Sequence, residues 1–389
     1  MNVKPDLESR ITHVIVGGHG YDHDIPHREH RLAAYLAEKR RTADVYWIYP
    51  THESGYTVRR RENGILEVPV PARYGSLEIP PFLIDTPPLR AAFARVFRSN
   101  VNLDLSGTAF LWYYSPHLSF LSEDITWDKI IYDCSDDHTT IGWQRPRKIS
   151  RLEHSLRIVR SKLVRASQDR VLENADRVYA SSERLHEKLS GRTNAPTTLT
   201  ETGVDVHRFD HRQTDDRIER MAAPRLGYVG KLKGMVDLRL VETVVKANPN
   251  WTFVLVGPIE DVDVSKISDQ DNVERLGYVS PDKVPSVMNA LDLGLIPYRD
   301  IEFNKSVFPL KLFEYLASGT PVVGCGVPST AKYAQQGIYR HTAVDPDAFA
   351  AACADALSWG DHAADRRTLA EGESWQSKLD RIYREVVDS

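Results

Sequence analysis

Lys311 and Glu314 stand three residues apart in the stretch Phe308–Val323, FPLKLFEYLASGTPVV. On a helix, positions i and i+3 share one face, so the two side chains can address a single ligand. The loop before them opens a helix, whose free N–H groups and dipole favour an anion. A lysine, an anion-ready helix end and a carboxylate able to hold a ribose diol suit a nucleoside diphosphate. The simpler alternative is an exposed ion pair contributing roughly 0.2–0.5 kcal/mol. A second cationic group comes from GYVGKLK at 227–233, where a strand ends in Gly230-Lys231; a glycine there lets the backbone approach a phosphate.

Acid–base chemistry is offered by IIYDCSDDHTTI at 130–141. An apolar strand carries Asp133, Asp136, Asp137 and His138 to its carboxyl end, and a carboxylate crowded by others has its proton affinity pushed upward, which suits a general base. Asp136 is the candidate and Asp137 its rival; either could instead cap the next helix. The segment GGHGYDHDIPHREH at 17–30 has Gly18-x-Gly20 but His23 where a dinucleotide fingerprint needs glycine. His19, His23, His27 and His30 could be offered to zinc, yet HREH is not the HExxH order, and no metal site is expected.

These groups require elements to place them. Residues 11–18 read as a buried strand, 30–40 as an amphipathic helix and 45–49 as the next strand, one βαβ unit of a parallel sheet. Strands at 109–114, 129–134, 177–180 and 198–201 continue the series. After a charged stretch, 208–224, a second series follows: strands at 225–230, 251–257, 273–276, 291–297 and 321–325, with helices at 238–247 and 281–290 between them. The expected fold is α/β: two Rossmann-like domains, 1–207 and 208–370, with ligands bound at the carboxyl ends of the strands.

The bulk numbers agree. The chain has 389 residues, 27% charged and 41% hydrophobic, with net charge −4, so no general attraction to nucleic acid follows. No apolar run reaches the roughly 20 residues that span a bilayer, and the N-terminal MNVKPDLESR has no secretory h-region. Three widely spaced cysteines argue for a reducing compartment, so a cytoplasmic enzyme is expected. Residues 145–170 hold nine basic against two acidic side chains. Ile149, Leu152, Leu156, Val159, Leu163 and Val164 run through this segment at helical spacing. It reads as a surface helix with one face in the core, or as a helix lying on an anionic membrane.

Three of these segments, 308–323, 226–231 and 130–141, resemble the nucleotide-sugar glycosyltransferases with two Rossmann-like domains facing across a cleft (GT-B). Residues 130–141 are similar to the exopolysaccharide β-glucuronosyltransferases, and Arg28, Leu32, Ala33, Leu36 and Ala37 match an element of teichuronic-acid-type transferases. The resemblance implies donor binding by Gly230, Lys231, Tyr298, Ser306, Phe308, Leu310, Lys311 and Glu314. It implies catalysis by Asp136 and an acceptor or phosphate loop at Gly18, His19 and Arg28. It also implies a C-terminal helix, 371–389, returning to the first domain. The well-known retaining enzymes carry E-x7-E; here the first glutamate falls on Ser306, so inversion is favoured. No cofactor is expected beyond the nucleotide-sugar co-substrate, with a uridine nucleotide commonest. The acceptor would be a glycan or lipid-linked, with peripheral contact to the inner face of the cell membrane. An epimerase of the same fold, or a scaffold without activity, are the alternatives.

Overall fold

The computed structural model describes residues 10–22, 27–139 and 151–388. They form two units, one up to Thr200 and one from Glu201 onward. The seam lies seven residues before the expected boundary, because Val204 already pairs with Ser374 in the second unit.

The first unit is built on strands β1 (Ile11–Val16), β2 (Thr42–Thr51), β3 (Arg59–Arg60), β4 (Leu66–Pro71), β7 (Thr108–Tyr113), β8 (Lys129–Cys134), β9 (Arg177–Ala180) and β10 (Thr197–Leu199); β5 (Arg73–Tyr74) and β6 (Leu77–Glu78) form a separate ribbon. The sheet order is β10-β9-β8-β7-β1-β2-β4-β3, parallel except for β3. Its central strands are buried on both faces, as Val14, Trp47, Leu111 and Tyr132 show. β4 lies outside the strands expected above; its Pro69 and Pro71 cannot donate to a ladder. It forms because its outer neighbour β3 spans two residues, so the prolines sit at what is nearly a sheet edge.

The second unit is parallel throughout: β11 (Arg225–Val229), β12 (Thr252–Val256), β13 (Val273–Gly277), β14 (Leu293–Pro297), β15 (Val322–Cys325) and β16 (Tyr339–Thr342), in the order β13-β12-β11-β14-β15-β16. In each unit the chain winds outward from one strand, then restarts on its other side. These switch points fall between β1 and β7 and between β11 and β14, and in sheets of this kind ligands bind at the carboxyl ends beside such points.

The last helix, Trp375–Val387, is grouped with the second unit. Its start is fixed there by backbone bonds from Trp375 to Val204 (2.9 Å) and from Val204 to Glu373 (3.2 Å). Buried Lys378 bonds Glu373 and lies 3.9 Å from Glu201. All three cysteines are free and buried.

Candidate functional site

In the second unit the strand–loop–helix motif is assembled by one aromatic side chain. Tyr315, on the buried face of the helix Lys311–Ser318, donates its hydroxyl to the Gly227 carbonyl (2.9 Å) and accepts from Val229 N–H (2.9 Å). Its ring lies where a Cβ on Gly294 would come within 2.6 Å, so glycine on β14 is what admits it. The helix stops at Gly319, whose φ of +87 is left-handed.

This packing brings Lys311 to the β11/β14 switch point. Its ammonium donates to the Tyr298 hydroxyl at 3.1 Å and lies 5.1 Å from the centre of the Tyr228 ring. Gly230, at φ +143, ends β11 beside it; a Cβ there would sit 3.0 Å from Lys311 Nζ. Thus Gly230, Tyr298 and Lys311 meet, as the sequence led one to expect. Tyr298 is buried. Lys231 lies further out, in an ion pair with Glu260 (2.9 Å) and half exposed. Lys233, not singled out by the sequence, lies within electrostatic reach of the site: burial lowers its proton affinity, Tyr298 opposes this, and Lys311 and Lys231 lower it further. Only the recurrence of lysine two residues after Lys231 hinted at it.

No side chain caps the helix at Leu310, which leaves its first turn for a ligand, and Glu314 stands half-buried one turn on. Phe308 and Ser306 are placed as follows. Phe308 is buried against Phe313 (centroids 5.0 Å) and Tyr333 (5.8 Å), so its ring packs the core. Ser306 is also buried, following the short helix Glu302–Lys305.

In the first unit the three aspartates part company. Asp133 is buried and accepts from Arg28 Nε at 2.6 Å. Asp137 takes Lys188 Nζ (2.7 Å) and both the N–H and hydroxyl of Thr139. Asp136 remains exposed, while its backbone carbonyl accepts from Cys134 Sγ and His138 N. The rival is therefore held by Lys188 and Thr139, and the candidate faces solvent.

Of the acceptor loop, Gly18 is exposed and His19 half-buried. Arg28 is turned inward, donating to Asp133 and to the Thr200 carbonyl (2.7 Å); it ties the helix Arg28–Ala37 to β8 and to the strand end after β10. The upward push expected of a crowded carboxylate falls on a residue the sequence reading missed. Burial raises Glu29 to about 7, with Asp133 and Asp136 adding to the effect. Nothing in the local pattern marks Glu29, since its burial is set by strands far away in sequence.

His23 and residues 140–150 lie outside the described residues. Among the described residues no group of His, Cys, Asp or Glu is arranged for a metal ion. The helix Arg151–Asn174 corrects one expectation: Leu156 and Val159 are exposed at 60% and 52%, although helical spacing pointed to a core face. Val164, Val171 and Leu172 anchor it instead. Among the described residues no helix is long and apolar enough to cross a membrane.

Residues 223–358 match the family model described as glycosyl transferases group 1. TuaH of Bacillus subtilis (strain 168), a protein assigned as a teichuronic acid biosynthesis glycosyltransferase, is 31% identical over 98% of each chain. Among solved structures, a sucrose-phosphate synthase of Thermosynechococcus elongatus superposes with TM-score 0.69 at 15% identity, covering 97% of this chain and 99% of that one. HepE of Anabaena, solved with UDP, reaches TM-score 0.63 at 13% identity over 98% of this chain and 100% of its own. Each unit carries a sheet of the kind found in these GT-B folds, and with an end-to-end relative above 30% identity the chain belongs to the glycosyltransferases, with a group 1 domain at 223–358.

Proposed function

We propose that the enzyme moves a sugar from a nucleoside-diphosphate sugar to a hydroxyl of a glycan or lipid-linked acceptor, without a metal ion and with inversion at the anomeric carbon. The carrying observation is the placement of Lys311, held between Gly230 and Tyr298 at an uncapped helix start. Lys311, Lys233 and Lys231 would neutralise the departing diphosphate, the electrostatic task a metal performs elsewhere. Glu314 would hold the ribose. Asp136 would take the acceptor proton as the acceptor oxygen bonds to the sugar and the sugar–phosphate bond breaks toward the diphosphate. Ser306, buried and not acidic, supports inversion. Since HepE of the same fold was solved with UDP, UDP is the first nucleotide to try.

A thermal-shift panel of nucleoside diphosphates tests the donor half. UDP at a hundredfold excess over its Kd should stabilise the protein by about 2.7 kcal/mol. Lys311→Ala should weaken UDP binding roughly 10- to 150-fold, the range of one charge-assisted bond. Failure of every diphosphate to raise Tm would remove the proposal.

A lipid-linked acceptor would be met at an anionic membrane. The exposed Leu156 and Val159, beside exposed Arg160, Lys162 and Arg165, support that contact. The full chain should float with vesicles containing anionic lipid. With each basic residue contributing about 1 kcal/mol, a triple glutamine variant at 160, 162 and 165 should bind on the order of 100-fold more weakly. Equal flotation of variant and wild type would end the proposal.

A further inference from the structure

The transfer scheme leaves one pair of titratable groups unused. Glu29, in the first turn of the helix Arg28–Ala37, is 8% exposed. Its Oε1 lies 3.9 Å from His19 Nε2, on a ring whose side chain is 36% exposed. His19 is fixed from behind: Trp47 Nε1 donates to its carbonyl (2.9 Å), and its Nδ1 lies 3.2 Å from the Gly20 carbonyl. The groups facing Glu29 are His19 from the loop after β1, Arg28 on its own helix, Tyr114 after β7, and Asp133 and Asp136 at the end of β8. Arg28 is bonded to Asp133, and among the described residues His19, itself stacked on His30 (ring centroids 5.4 Å) and beside His27 (5.2 Å), is the basic side chain that forms an ion pair with the Glu29 carboxylate.

We propose that His19 and Glu29 share one proton and act as a positioning pair that sets the charge beside Asp136. This rests on the reading of Asp136 as base. While the pair keeps its proton it adds no net charge, whether as acid and imidazole or as carboxylate and imidazolium. When that proton leaves to solvent, one negative charge is added near Asp136. A like charge strengthens a carboxylate as a proton acceptor, so the pair would raise the basicity of Asp136 as pH rises through neutrality. The burial that lifts Glu29 to about 7 puts this change in the working range.

The test is direct titration of the full chain labelled in histidine, with the His19 imidazole signal assigned by its loss in His19→Gln. The His19 midpoint should fall by about one pH unit in Glu29→Gln and by less in Glu29→Asp. An unchanged midpoint in both variants would overturn the pair. Asp136→Asn keeps the two ideas apart: full turnover in that variant would sink the base assignment, and the dependence of His19 on Glu29 would still be read from the same spectra. With both ideas right, the pH dependence of kcat/KM through neutrality should flatten in Glu29→Gln.

Discussion

Asp136→Asn will lower turnover about a hundred- to ten-thousand-fold and leave nucleotide binding as it is. A positioned general base contributes on that order, and the amide keeps the shape while losing the capacity to accept a proton. The neighbouring carboxylates cannot take over. Asp133 is buried in its pair with Arg28, and Asp137 is held by Lys188 and Thr139. Steady-state kinetics on the wild-type donor and acceptor, with UDP affinity measured alongside, would check it. Near wild-type kcat in Asp136→Asn would shift the base elsewhere. Asp137→Asn serves as the contrast: it should lose stability through Lys188 before it loses turnover.

Arg28→Ala will destabilise the first unit by about 3–5 kcal/mol, the cost of leaving one partner of a buried ion pair alone. The side chains of Arg28 and Asp133 are 4% and 2% exposed, and the same guanidinium also serves the Thr200 carbonyl. The double change Arg28→Met with Asp133→Leu should recover most of that loss, because two apolar side chains of similar volume remove the stranded charge. Urea midpoints of the single and double variants would measure both. A single variant as stable as wild type would show that water reaches the pair. If Arg28 instead bound the acceptor, its loss would appear in KM with stability unchanged.

The parts of the molecule that were legible in the sequence share a cause: each is specified by neighbours along the chain. The strand Lys129–Cys134 and the helix Leu238–Ala247 have the predicted bounds, since the periodicity of a few successive residues defines them. Lys311 and Gly230 meet because one helical turn and one glycine-ended strand belong to a single βα series. β4 was not legible in the sequence, because a proline's tolerance depends on which strand lies beside it, and that neighbour, β3, is short. Leu156 and Val159 misled for a similar reason: a helical stripe says which residues share a face, not what covers it.

Amino-acid order therefore settled the two βα series, the meeting of Lys311 with Gly230 and the cluster of acids at the end of β8. Folding decided how that cluster divides. It buried Asp133 on Arg28, 105 residues away, tied Asp137 to Lys188, 51 residues away, and left Asp136 in solvent. It also placed Glu29 where burial keeps its proton near neutrality and brought Lys233 within electrostatic reach of Lys311. Proton affinity and ion pairing depend on burial and on distances through space, and those exist only once strands remote in the chain lie side by side.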